Sequence, residues 1–269
     1  ENRSLEEIEN MATKYYYLQC KFIIYNKVSQ DTLYKIELIK ELLIVLELSV
    51  KKGIFKPSES WVALVNLASL YTQTANKEKF FRTIQTLDTT ISYFNGSYET
   101  NAIYWKYTRI YEFYSDFPEE KLLPKLIENT EKWLNNTKMP VNEKHKIGIR
   151  FVMARYYFML GNYDTVIKLL NIFLLKKEIQ LNDFYYICIK VMYIICQYET
   201  GAYVVAKKEL LAFKRKLRRN ELTSTHIKKI LRYLTSIINL ENQGYDKSKY
   251  YQKIIDLFFD KKQVLPNKS

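Results

Sequence analysis

Apolar side chains recur along this chain every three or four positions, the period of an α-helix that buries one stripe. Over residues 4–26 the stripe is Leu5, Ile8, Met11, Ala12, Tyr15, Leu18, Phe22 and Tyr25. Ser4 followed by Glu7 reads as a capping box at its start. The same period predicts helices over 31–52, from Ser58 or Ser60 to the Thr74-Ala75-Asn76 turn, and over 77–94, 100–115 and 118–136. It continues over 142–160, 163–177, 181–200, 202–219, 223–242 and 246–261, with 263–269 a frayed tail. Asp31 is placed to cap the second helix and Gly53 to end it. Pro118 suits a first helical position, whereas Pro124 is expected to kink or interrupt the sixth helix.

Some of these breaks repeat. Leu160-Gly161-Asn162-Tyr163 and Thr200-Gly201-Ala202-Tyr203 lie 40 positions apart, and Gln243-Gly244-Tyr245 is a third Gly-Tyr turn. A fixed period of this size marks stacked helical hairpins. Aligning the chain on its turns reveals a register of a large apolar residue, a small one, then an aromatic three further on. Leu67-Ala68-Tyr71, Tyr107-Thr108-Tyr111 and Met153-Ala154-Tyr157 follow it; Tyr193-Ile194-Gln197 is a degraded copy. The second helices carry Phe80, Ile84, Leu87; then Val166, Leu170, Phe173; then Ala206, Leu210, Phe213. The small residue lets two helices approach closely. A lone hairpin cannot bury both sides, so neighbours must stack.

This register resembles the tetratricopeptide repeat. The match is best over 147–173, where Met153, Ala154, Tyr157, Gly161, Tyr163, Val166, Leu170 and Phe173 fall on the motif's positions. It is weaker over 61–87, 104–117 and 193–213, and the spacing of 40 to 46 residues departs from that family's 34. The stretch 161–219 is also similar to the C-terminal part of a group of bacterial proteins of this type. The resemblance implies an all-α, right-handed α-solenoid of about six antiparallel helix hairpins, one continuous domain over 1–262. It further implies that first helices line a concave groove for a peptide or partner helix. Position by position, that groove takes Val62, Val65, Ser69 and Thr72; Trp105, Arg109, Glu112 and Phe113; Phe151, Arg155 and Phe158; and Val191, Ile195, Tyr198 and Glu199. Trp105, Arg109, Phe113, Phe151, Arg155, Phe158 and Tyr198 are the expected binding residues. Arginine grips carboxylates well, and aromatic anchors dominate interface energetics.

Composition narrows the class. Six Gly and five Pro in 269 residues are too few for a turn-rich β fold or a nucleotide-binding α/β fold. No apolar run reaches the roughly 18 residues of a membrane-spanning helix, so no membrane partner and a cytoplasmic location are expected. The chain opens Glu1-Asn2-Arg3-Ser4 without an initiating Met, which reads as a piece of a longer protein and leaves room for a removed targeting segment. Cys188 and Cys196 are eight apart, about 12 Å along a helix axis, too far to bridge. With Cys20 they read as reduced thiols in a reducing compartment.

The net charge of +13 admits three explanations: nucleic acid, an acidic partner, or lysine enrichment without a partner. The third is preferred, because charge occurs along every helix and A/T-rich codons favour lysine. The densest run is Lys207, Lys208, Lys214, Arg215, Lys216, Arg218 and Arg219, reinforced by Lys228, Lys229 and Arg232. Phosphate binding needs such a patch. A solvated face with cations at a helix C-terminus has the same appearance.

Catalytic chemistry has no linear signature. His145 and His226 sit alone in polar stretches without ligand spacing. No Gly-rich phosphate loop, GxSxG or HExxH occurs. The expectation is a non-catalytic scaffold, with no cofactor and no metal, that binds a protein or peptide segment. Two rivals remain: the sensor domain of a peptide-responsive regulator, and a nucleic-acid-associated helical repeat using Lys207, Lys208, Arg215, Arg218, Arg219, Lys228 and Arg232.

Overall fold

A computed structural model describes residues 5–94, 96–118, 124–136, 141–175, 183–219, 225–239, 250–251 and 253–254 of the chain. Its regular elements among the described residues are all helical. They are α1 (Leu5–Val28), α2 (Thr32–Lys51), α3 (Trp61–Gln73), α4 (Lys77–Ile91), α5 (Ser97–Asp116), α6 (Pro124–Leu134), α7 (Glu143–Met159), α8 (Tyr163–Leu175), α9 (Asp183–Glu199), α10 (Tyr203–Arg219) and α11 (Thr225–Asn239). A short 3₁₀ turn, Pro57–Ser60, leads into α3. Pro124 is the first described residue of α6, and the residues before it, on which the expected kink or interruption turns, lie outside the described residues. Ser4 of the expected capping box, the Gly244-Tyr245 turn, the 263–269 tail and most of the twelfth expected helix lie outside the described residues.

The chain divides into two compact units, Glu1–Ile149 and Arg150–Ser269, and the boundary falls inside α7. In the first unit α1 packs on α2, α2 on α3, and α3 on both α4 and α5. In the second α8 packs on α9, and α9 on both α10 and α11. Alternate helices are thus in contact in each unit, among them α3 with α5 and α9 with α11.

Four helix ends share one backbone device. At the end of α7, Gly161 N donates to Phe158 O and Asn162 N to Tyr157 O. Gly201 and Ala202 repeat this pattern on Tyr198 and Gln197, and Gly53 and Ile54 on Val50 and Ser49. Ala75 and Asn76 repeat it on Thr72 and Tyr71. This is the Schellman closure, which needs a left-handed residue at its centre. Gly53, Gly161 and Gly201 supply it with φ of 63°, 71° and 80°, and Ala75 is forced into it at 52°. Asn76 and Asn162 then serve the next helix as well, their Oδ1 atoms accepting from Lys79 N (3.1 Å) and Thr165 N (3.3 Å). One residue thus closes a helix and caps its successor, and the chain reverses within three positions. Across the two Gly turns the flanking rings meet edge to face, Phe158 with Tyr163 at 5.7 Å and Tyr198 with Tyr203 at 5.0 Å.

The sequence register appears as burial. The small or short positions Ala68, Thr108, Ala154 and Ile194 are all buried, as are all nine members of the three second-helix series. In the first unit Phe80 of α4 stacks on Phe113 of α5 with centroids 4.3 Å apart and planes 14° from parallel. Tyr111 is fully buried, so its hydroxyl needs a partner; Tyr111 OH meets Thr130 Oγ1 on α6 (3.3 Å), which in turn donates to Leu126 O (2.8 Å). In the second unit Val191, Ile194 and Ile195 of α9 pack with Leu210 and Phe213 of α10 and Leu234 and Ile237 of α11.

A Cβ at Gly161 or Gly201 would meet nothing within 4 Å, so substitution there carries a conformational cost alone. Gly161→Ala and Gly201→Ala should each destabilise by about 1 kcal/mol, the left-handed penalty less the entropy Ala saves in the unfolded chain. Ala75→Gly should stabilise by a similar amount. Urea unfolding midpoints at constant slope check all three.

Candidate functional site

Helix α5 places Trp105, Arg109 and Glu112 four and three positions apart, and so on one face. The Arg109 guanidinium lies over the Trp105 ring, 5.3 Å from its centroid, and pairs with Glu112. Its Nε is buried and has no hydrogen-bond partner. Trp105 as a whole remains 36% exposed. The neighbouring Lys106 takes no part, because it reaches across to Asp88 of α4 at 2.6 Å.

Trp105 is held from behind. The Tyr104 ring meets it edge to face at 5.1 Å and stacks on His145 of α7, with centroids 4.2 Å apart and planes 12° from parallel. The Tyr104 ring lies against Gly148, one turn beyond His145. A Cβ there would come 2.5 Å from the Tyr104 hydroxyl and 2.9 Å from its ring. Glycine inside a helix costs about 1 kcal/mol, and here it makes the only room for the tyrosine. Asn142 begins α7 by accepting from His145 N at 2.8 Å, and its amide meets His145 Nδ1 at 3.1 Å. Burial holds the His145 imidazole below its ordinary pKa. The polar stretch expected around this histidine is in fact an aromatic stack, formed with a residue 41 positions earlier in the chain.

The other groove candidates divide. Phe113 and Tyr198 are buried, one in the α4–α5 stack and the other among α9, α10 and Tyr203. These two are corrected from groove to core. Both helices pack on several neighbours, so a face that looks free along one helix is covered in space. Val65, Val191 and Ile195 are buried for the same reason. Val62 is exposed, while Ser69 and Thr72 are half-buried, the Thr72 hydroxyl bonding Ala68 O of its own helix. In the second unit Phe151, Arg155 and Phe158 are half-buried on α7, and Phe158 packs against the α9–α10–α11 core. Glu199 accepts a hydrogen bond from the Tyr251 hydroxyl. Lys207, Lys208, Arg215, Arg218, Arg219, Lys228 and Arg232 are all exposed on α10 and α11.

One face escaped the sequence reading. Helix α1 buries Tyr15, Leu18 and Phe22, and on another side it exposes Tyr16, Tyr17, Ile23, Ile24 and Val28, each at 49% or more. The signal was present as Tyr16-Tyr17 and Ile23-Ile24, seven positions or two helical turns apart, with Val28 four beyond Ile24. Assigning one inward stripe left the second unread.

Nothing in these positions supports nucleophilic or metal chemistry. Cys188 and Cys196 are buried free thiols whose pKa values burial raises, that of Cys188 to about 12, so neither is a ready thiolate. Among the described residues no cluster of His, Cys, Asp and Glu is arranged to hold a metal ion. A depression on α4 is lined by Arg82, Gln85, Thr86, Thr89 and Thr90, and the three threonine hydroxyls donate to carbonyls of their own helix. No helix among the described residues is long and apolar enough to cross a membrane. Comparison with protein-family models, curated proteins and solved structures finds no match.

Two outcomes follow from the α5–α7 contact. Gly148→Ala should cost about 1–3 kcal/mol by overpacking against Tyr104, read as a drop in melting temperature. The neutral His145 contributes stability that is complete above the unfolded pKa of about 6.5 and is lost as pH falls through the lower folded value. Between pH 7.5 and 5 the melting temperature should therefore fall more for the wild type than for His145→Gln. Parallel pH curves would contradict this.

Proposed function

We propose that the protein is a non-catalytic scaffold of tetratricopeptide-like hairpins, stacked within each unit in that family's right-handed sense, that holds a polypeptide segment on a first-helix face. The observation that carries this reading is the Trp105–Arg109–Glu112 array on α5. It combines a large, partly exposed tryptophan with a guanidinium laid against its ring and a buried Nε lacking a hydrogen bond. Interface anchors have these properties: aromatic area at low entropy cost, and a planar donor array suited to a carboxylate. Tyr104 and His145 fix the indole before anything binds, which lowers the ordering cost of association. Arg109 has an internal carboxylate in Glu112, so its charge is paired before anything binds. Phe151 and Arg155, one turn apart on α7, offer the second unit a similar pairing of ring and guanidinium. Contacts between alternate helices, α3 with α5 and α9 with α11, support hairpin stacking.

A peptide library displaying free C-terminal carboxylates, panned on the immobilised protein, tests this reading. Peptides that bind the wild type should lose at least tenfold in affinity for Trp105→Ala and for the pair Arg109→Ala/Arg155→Ala, with melting temperatures within about 2 °C. Equal binding by these variants would sink the α5 assignment.

A further inference from the structure

The positive charge is not evenly spread. Residues 203–239 hold ten Lys and Arg against two carboxylates, a net +8 of the chain's +13 in 37 of its 269 residues. Of those carboxylates, Glu209 is already engaged with Lys190 of α9 at 2.8 Å, and Glu221 lies outside the described residues. Two of the ten cations have partners on another helix, and Arg232 lies over the ring of its neighbour Tyr233 at 5.5 Å. Lys214 Nζ donates to Thr235 Oγ1 of α11 at 2.8 Å, and Lys216 lies 3.7 Å over the Tyr186 ring. The other eight, Lys207, Lys208, Arg215, Arg218 and Arg219 on α10 and Lys228, Lys229 and Arg232 on α11, are exposed and meet no carboxylate among the described residues.

The helix dipole does not account for this grouping. Cations in the last turn of α10 are favoured by its C-terminal partial charge. Lys228 and Lys229, however, stand near the N-terminus of α11, where the dipole opposes them and no acidic residue occupies the first turn. The Lys214–Thr235 bond ties α10 to α11, so the cations of the two sets stand on neighbouring helices. Self-repulsion of this kind is relieved by an external polyanion.

The geometry points to the joint outer face of α10 and α11 as a nucleic-acid-binding surface that reads the phosphate backbone. A membrane is disfavoured by the same helix. Lying on a bilayer needs a free apolar face, and the apolar face of α10, Ala206, Leu210, Phe213 and Leu217, is buried in the core. Between the cations only Val204, Val205 and Leu211 are exposed among its large apolar residues. All eight are cations suited to phosphate oxygens, so the affinity would come chiefly from charge along the backbone.

Fluorescence anisotropy of the 269-residue chain with a labelled 20-base-pair DNA duplex and a 20-nucleotide single-stranded RNA, at 50 and 200 mM salt, tests the proposal. Binding to at least one should be seen at 50 mM and weaken at least tenfold at 200 mM, as counterion release requires. Arg215→Glu/Arg218→Glu should weaken it at least tenfold. Lys27→Glu/Lys56→Glu, the same change in net charge placed on the first unit, should weaken it less than threefold. Circular dichroism melts establish that each variant folds. The proposal is overturned by absence of binding at 50 mM salt, or by equal loss in the two double variants, which would reduce the effect to net charge. It is also overturned if poly-glutamate displaces the nucleic acid at equal charge concentration, or if phosphatidylserine vesicles bind and neither nucleic acid does.

Discussion

The left-handed residue that closes four of the helices, α2, α3, α7 and α9, is the constraint on which the rest of this structure depends. At α3, α7 and α9 it lets the helix end, reverse and restart within three residues, and it holds each such pair of successive helices close enough for small side chains to matter. Once the reversal is fixed at Gly161 and Gly201, the position of every residue on the two flanking helices follows from helical geometry. Ala154 and Ile194 fall inward, as do Val166 and Ala206. The ring pairs Phe158–Tyr163 and Tyr198–Tyr203 close the open end of each hairpin. Ala75 shows how strong the requirement is, because the chain accepts a strained alanine there rather than a different turn.

This explains which parts were legible in advance. The turns and the buried stripes are local, set by residues a few positions apart, so helix positions and the small-residue register could be read directly. The face of a helix that remains free is a non-local property. Phe113 lies on the same helix as Trp105 and looks equally available along the chain, yet its ring is stacked on Phe80 from another helix. Tyr198 is lost to the core by the same cause. His145 read as an isolated polar residue because its partner, Tyr104, belongs to a distant helix, and the hole that admits Tyr104 is one glycine with no turn role. The exposed second stripe of α1 was missed because a helix apolar on two sides offers no rule for choosing between them.

The two surfaces that emerge differ in physical kind. The α5 face is an aromatic and guanidinium platform whose parts are pre-positioned by packing, suited to short-range recognition of a polypeptide. The α10–α11 face is a field of exposed cations that meet no carboxylate among the described residues, with little apolar area, suited to long-range attraction and sensitive to salt. Their separation into different compact units allows one to be altered without disturbing the other. The free thiols, the stacked histidine and the in-helix threonine bonds all belong to the framework that carries these faces.

If the closed hairpin is the structural unit, it should also be the unit of unfolding. Native-state hydrogen exchange across a urea series measures this helix by helix. Amides of α3 and α4 should share one opening free energy and urea dependence, and those of α9 and α10 should share another. Opening of α9 at a lower urea concentration than α10, or a different urea dependence for α3 and α4, would contradict the central role given to the turns.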